Sequence, residues 1–484
     1  MALTQAIAKN TTYLSLSSIF QKLIAFWFFT QLAHQLGDDL GKYSFALSFT
    51  GIFVILMNFG LVPVLTRQGA RTPDSLQRDL NFMLAVKIVL TAISLGLMII
   101  VFSILNYYNH LPAYTVLLVY VAGIVIILDT FRSIFLAVLR ARQQMQFEAI
   151  GQIIYQLIVV IGGMAILSVG HKALGMIIVI IGASLFYLIY SIVVVIKKLQ
   201  YWPKFDWQAG TVKQLLLVAA PFVLADVFFK LNGSIDTVML EYLAGDRSVA
   251  WYSIALKLTV TLTVIPGAFA TAFFPAMSRA FQESLDTLRD IFERATAYLL
   301  ILSVPITVGA IALADQIIAL AFPKFPATVP ALQIFMGSVV FLFANYPVGN
   351  LLNAANRQGI NTLNMGLALA VNIILNIILI PRHTYIGAAI AGVVSAVVLV
   401  ALGLPHVYRL IHFNVIDLLK RFGQIVLATS VMTGWILVTE FWRWPFFIIL
   451  LSAMLLYFVA LYSVRGISKS ELQQLYQALL RRRL

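Results

Sequence analysis

The sequence has no cysteine and only six histidines in 484 residues. That excludes disulfide staples, thiolate metal centres and cysteine nucleophiles. The histidines fall in loops or near span ends, which argues against a buried histidine proton relay. Charge is scarce too. Asp, Glu, Lys and Arg make up 11% of the chain, against about 25% in an ordinary soluble domain. A globule of this size cannot cover itself with so few charged groups. Soluble enzyme, nucleic-acid binder and disordered scaffold are therefore excluded. No glycine-rich phosphate loop with its lysine, no metal-ligand cluster and no nucleophilic triad is visible, so no cofactor and no enzymatic chemistry are expected.

What fills the chain instead is hydrocarbon: 61% of its residues are apolar, spread from end to end in runs of roughly 20, the length that crosses a bilayer as a helix. The pattern predicts an all-α polytopic membrane protein of about 14 transmembrane helices, with span 1 over 12–33, span 2 over 42–66, span 7 over 214–241 and span 8 over 249–274. Span 1 is too long for a signal-peptide core and has no small-residue cleavage site, so it reads as retained. An even count puts both termini on one side, and the basic residues choose the side. One set of alternate loops and both tails hold about 22 Lys and Arg; the other loops hold Lys42, Lys172, Arg247, Lys324, Arg382 and Arg443. The expected location is the inner (cytoplasmic) membrane with both termini cytoplasmic, and the +14 net charge is a topology signal, with no nucleic-acid partner. The tail from Ser468 to Leu484 reads as a short helix lying on the anionic leaflet.

An internal repeat organises the spans. Gly37-Asp38, Tyr43-Ser44 and Ala46-Leu47 recur as Gly245-Asp246, Tyr252-Ser253 and Ala255-Leu256. Further on, Arg78-Asp79 matches Arg289-Asp290, and Arg142-Gln143 matches Arg357-Gln358. The offset, near 210 residues, is six spans, so the two copies share one orientation. The expected organisation is an N-lobe over 1–197 (spans 1–6), a cytoplasmic linker over 198–213, a C-lobe over 214–408 (spans 7–12), two extra helices over 409–464 and a basic tail over 465–484.

Five cations and a few carboxylates fall inside the spans: Lys22, Lys87, Arg132, Lys230 and Lys257, with Asp129, Asp226 and Asp236. Each such charge costs roughly 2.5–3.5 kcal/mol near a helix centre unless it is paired or wet. Lys87 is near enough to the cytoplasmic end to snorkel, and Asp129 and Arg132 are spaced to pair on one helix face. Span 7 carries Asp226, Lys230, Asn232 and Asp236, polar over about half its circumference, which points to a water-filled cavity. Lys22 and Lys257 have no acidic neighbour at helical spacing. They are left to pair across helices with Asp226 or Asp236, or to wait for an anionic ligand. The cationic surplus favours the ligand. Lys22, Lys230 and Lys257, the cations deepest in the membrane, are the expected phosphate site, with Asn232 beside them. Asp129, Asp226 and Asp236 are candidate ion-coupling residues.

Three stretches resemble a known family: "NRQGINTLN" followed by "NIILNIILIP" (Asn372 to Pro381), "GAAIAGVVSA" (Gly387 to Ala396), and "IDTVMLEYLAGDRSVAWYSIALKL" (Ile235 to Leu258) with its N-lobe counterpart Gly37 to Arg67. They are similar to the polysaccharide-flippase, Wzx-like branch of the multidrug/oligosaccharidyl-lipid/polysaccharide exporter superfamily, with lipid II flippases and multidrug antiporters as relatives. The resemblance implies a flippase carrying a polyprenyl-diphosphate-linked oligosaccharide from the cytoplasmic to the outer leaflet by alternating access, for cell-surface polysaccharide such as O-antigen or exopolysaccharide. It implies a cavity lined by spans 1, 2, 7 and 8, with Arg67 helping to load the diphosphate. The driving force is left open between Na⁺, H⁺ and the membrane potential; membrane lipids and the polysaccharide polymerase machinery are the expected partners. The alternatives within the superfamily are a lipid II flippase and an ion-coupled drug exporter. Span 1 has no acidic residue, which counts against the exporter.

Overall fold

The computed structural model describes residues 21–170, 173–207 and 209–467. The expected surface helix of the tail and the start of span 1 lie outside this set. Every regular element described is a helix. After α1 (21–36) come α2 (Asp39–Asn58), α3 (Leu61–Arg71), α4 (Leu76–Asn109), α5 (Ala113–Ala141), α6 (Met145–Ser168), α7 (Ala173–Leu199) and α8 (Ala209–Ala244). The second half holds α9 (Asp246–Leu262), α10 (Val264–Glu283), α11 (Leu285–Ala312), α12 (Ala314–Ala321), α13 (Thr328–Ala354), α14 (Gln358–Ile411), α15 (Val415–Phe441) and α16 (Phe446–Ser463). Among the described residues, eleven helices are long and apolar enough to cross a membrane.

Backbone breaks, rather than composition, divide this hydrocarbon into spans. α14 runs 54 residues, about 80 Å of helix and far more than one crossing needs. At Thr384 its backbone turns to φ 50°, ψ −130°, and the chain doubles back. The Leu379 carbonyl comes so close to Gly387 that a Cβ there would overlap it. The Ser395 hydroxyl donates to the Ala368 carbonyl at 3.0 Å. α14 is therefore two antiparallel spans. α2 and α3 are likewise one crossing interrupted at Phe59-Gly60, and α9 and α10 one crossing interrupted at Thr263.

The turns carry the same 210-residue period as the sequence. Positive φ occurs at Gly37 and Gly245, Gln143 and Asn356, Gly170 and Thr384, and Gln200 and His412. A positive φ is costly for most side chains, so its recurrence at a near-constant offset repeats a path and not only a composition.

The chain packs as two compact units: Met1–Lys257 with Ile373–Ala388, and Leu258–Asn372 with Ala389–Leu484. In the first, Leu61, Leu65, Leu80, Met83, Leu139 and Val195 belong to one buried apolar cluster. Segment 200–207 is tied to it where the Lys204 N–H donates to Asn81 Oδ1 at 2.9 Å. In the second, α15 and α16 pack on α11: Tyr457 donates its hydroxyl to the Ile301 carbonyl at 2.7 Å, and Trp435 Nε1 donates to Ser452 Oγ at 3.0 Å.

Two ion pairs of the first unit show how burial sets energetic weight. Arg140 clasps Glu148 with both Nε (2.9 Å) and Nη2 (2.5 Å), joining α5 to α6; the Glu148 side chain is 8% exposed and that of Arg140 38%. Arg247 meets Asp38 at 3.3 Å with both side chains about 70% exposed. Removing one member of a buried pair costs roughly 3–5 kcal/mol, and Arg140 can recover part of that through water. Glu148→Ala should therefore cost about 2 kcal/mol and lower the unfolding temperature of detergent-purified protein. Asp38→Asn should cost less than about 0.5 kcal/mol, the usual scale of an exposed pair. Equal shifts for the two would contradict this ranking.

Candidate functional site

α1 and α9 bring two of the sequence-predicted cations together. Lys257 Nζ stands 5.5 Å from the centre of the Phe29 ring, within cation–π range. The Lys22 ammonium is close enough to repel it. Lys22 is exposed and Lys257 half-buried. Phe29 lies two helical turns from Lys22 on α1, so one face of α1 supplies both a cation and an aromatic surface. The site is locally positive, with a lowered cost for an anion and a raised cost for a third cation. One ammonium 4 Å from a phosphate oxygen contributes roughly 4 kcal/mol at an effective dielectric near 20, before desolvation.

The other predicted cations are placed differently. Lys230 is exposed on α8 one turn beyond Asp226, also exposed, and the two attract each other. Asn232 on the same helix is half-buried, and Arg67 is exposed on α3.

The three carboxylates separate by environment. Asp129 is bound to Arg132 at 2.9 Å and accepts from the Ser184 hydroxyl at 2.8 Å. The Arg132 guanidinium lies over the rings of Tyr187 (4.6 Å) and Tyr155 (5.3 Å). This is the local pair that the spacing predicted. Asp226 is exposed. Asp236 is 7% exposed and accepts from Tyr252 Oη and from Asn376 Nδ2, both at 2.5 Å. The expectation that span 7 turns its whole polar face to a cavity is thus corrected at Asp236, which is packed into a polar cluster of α8, α9 and α14. The reason is tertiary: two buried donors on other helices satisfy the carboxylate that the helical wheel left open.

A second correction concerns Lys87. It does not snorkel. Its side chain is fully buried and Nζ donates to Asn58 Oδ1 at 2.7 Å. Sequence reasoning also missed the role of Asn376. The signal was there, in two asparagines four residues apart (Asn372 and Asn376) inside an otherwise apolar run. Tyr252 was visible only as the repeat of Tyr43.

A helical polytopic protein with paired cations and a hydrogen-bonded carboxylate inside its spans has the architecture of a membrane transporter. The sequence profile of the polysaccharide biosynthesis protein family matches residues 7–281, and the chain belongs to that family. It is 22% identical over 434 residues to a probable low-salt glycan biosynthesis flippase, Agl15, of Haloferax volcanii, covering 88% of this chain and 89% of that one. It is 30% identical over 166 residues to the probable flippase AglR of the same organism, covering 33% of this chain and 35% of AglR. Its fold is similar to that of the lipid II flippase MurJ in an inward closed conformation, with a TM-score of 0.72 at 18% identity over 92% of this chain and 97% of that one.

Proposed function

We propose that this protein is a flippase that carries a polyprenyl-diphosphate-linked oligosaccharide from the cytoplasmic to the outer leaflet of the inner membrane. The observation that carries the reading is Lys257 against the Phe29 ring of α1, the helix that also carries Lys22, whose charge acts on Lys257: a local positive potential that a diphosphate relieves and a cationic drug aggravates. The Haloferax relatives, named as probable flippases, support the same direction. The lysine and arginine bias between alternate loops supports cytoplasmic termini. Transport proceeds by alternating access, with Lys230, Asn232 and Arg67 as further contacts along the path. Asp236 is the favoured coupling carboxylate for Na⁺ or H⁺, because Asp129 is engaged by Arg132 and Asp226 is open to its surroundings. The flipped glycan is the substrate of a polymerase acting on the outer leaflet.

The test is leaflet transfer of a fluorescent polyprenyl-diphosphate sugar in proteoliposomes. Lys22→Ala and Lys257→Ala should each slow transfer about tenfold, the equivalent of about 1.4 kcal/mol. The double mutant should be slower than either while remaining folded in the membrane. Lys→Arg should be milder at either position because it keeps the charge, although its planar fork does not reproduce the ammonium geometry. Wild-type rates in the double mutant would remove the phosphate assignment. Expulsion of cationic dyes in place of lipid transfer would replace the flippase reading with a drug exporter.

A further inference from the structure

Span 2 is broken where it passes Lys87. α2 ends at Asn58, Phe59 and Gly60 follow with φ 36° and 68°, and α3 begins at Leu61. A phenylalanine in the left-handed region is strained, so this break is held by its surroundings. Lys87 of α4 is 0% exposed and reaches Asn58 Oδ1 at 2.7 Å; the Ser133 hydroxyl of α5 lies 3.3 Å from the same oxygen and donates to the Thr130 carbonyl at 2.6 Å. Among the described residues no carboxylate pairs with Lys87. The charges on the packed neighbours lie elsewhere. α2 has Asp39 and Lys42 at its far end, and α3 has the exposed Arg67 and Arg71. On α5, Asp129 is occupied by Arg132 and Arg140 by Glu148.

A strut would be the simplest role for this lysine, and the second copy of the repeat argues against it. There the crossing is interrupted at Thr263, between α9 and α10, and the Thr263 hydroxyl donates to the Val260 carbonyl at 2.6 Å, on its own side of the break. The counterpart of Lys87, at the offset of 211 residues that relates Arg78 to Arg289, is Tyr298. That interrupted crossing is held with no lysine at the matching position. The intramembrane lysine is present in the first copy alone, at a cost that bracing does not require.

We propose that Lys87 is a proton-binding site that sets the bend of span 2 at Phe59-Gly60. As a neutral amine it donates one N–H to Asn58, and the packing seen here satisfies it. On taking a proton onto its lone pair it presents three N–H groups and a charge. The acceptors nearest in the chain are the last carbonyls of α2, which lose intrahelical partners at the break and form the negative end of that helix's dipole. Rotation of α3 about Phe59-Gly60 opens those carbonyls, or admits water, to the ammonium. The protonated and neutral forms therefore favour different bends, and the exposed Arg67 on α3 moves with them. This holds whatever cargo the protein carries.

The absence of native cysteine allows a direct measurement. Spin labels on the double variant Ala70→Cys, Arg142→Cys, in the full chain in lipid nanodiscs, report the distance from α3 to the end of α5. Between about pH 6 and about pH 10, a range wide enough to titrate a perturbed lysine, the distance distribution should shift between two forms with a one-proton midpoint. Lys87→Arg should lock the low-pH distribution across the range, and Lys87→Met the high-pH one. The Met variant is nearly isosteric, so it decides the question even if the Arg variant fails to fold. A pH-independent distribution in the labelled parent overturns the proposal. So does a shift that persists unchanged in Lys87→Met.

Discussion

Gly41→Val should hold the protein open at the end where α2 meets the start of α9. The Asp246 carbonyl oxygen sits 1.8 Å from the position a Cβ on Gly41 would occupy, so no side chain fits while the two backbones keep this approach. Around that contact Lys42 bridges Asp39 (3.0 Å) and Asp246 (3.6 Å), Arg247 meets Asp38, and Phe45 packs edge-on against Tyr242 at 5.6 Å. The Arg247–Asp38 pair is exposed and contributes little, while Lys42 and Asp39 are largely buried; the backbone approach and the packing behind it decide whether this end closes. A cysteine at Phe45, 0% exposed, should react slowly with a membrane-impermeant maleimide in the parent. In the Gly41→Val background it should react about tenfold faster or more, each tenfold requiring only about 1.4 kcal/mol of bias. Substrate transfer should fall with it, because the alternating access proposed above needs both ends to close in turn. Unchanged labelling would show that this contact does not govern access.

Asp236→Ala should be among the most damaging single substitutions in the chain. It removes the acceptor shared by Tyr252 and Asn376, both 0% exposed, and each buried donor left unsatisfied costs about 1–3 kcal/mol. A loss of roughly 2–5 kcal/mol should appear as a fall in the unfolding temperature of the purified protein. Asp236→Asn should be gentler, since the Tyr252 hydroxyl can accept as well as donate and the Asn376 amide can turn its oxygen inward. It nevertheless deletes the charge. With folding intact, transfer by Asp236→Asn should no longer respond to an imposed Na⁺ or H⁺ gradient. A variant that keeps full gradient dependence would end the coupling assignment, while the destabilisation of Asp236→Ala would still stand on the hydrogen bonds alone.

The sequence by itself determined the membrane, the helices and the 210-residue period. These follow from how much hydrocarbon there is and how it is spaced, and both are local properties of the chain. It also determined the Asp129–Arg132 pair, because two side chains three apart on one helix meet regardless of what surrounds them. Contacts between helices were beyond its reach. The phase of a helix against its neighbours decides whether a polar residue meets water, lipid or another side chain, and that phase is set by packing. Lys87 is the clearest case: its distance from the helix end favoured snorkelling, yet the break of span 2 placed an asparagine oxygen within its reach. Asp236 was turned the same way, from an expected cavity onto Tyr252 and Asn376, residues 16 and 140 positions away. The meeting of Lys22 with Lys257 lies between these limits. Composition announced two cations with no acidic neighbour at helical spacing, and only the tertiary structure set Lys257 against Phe29 of the helix that carries Lys22.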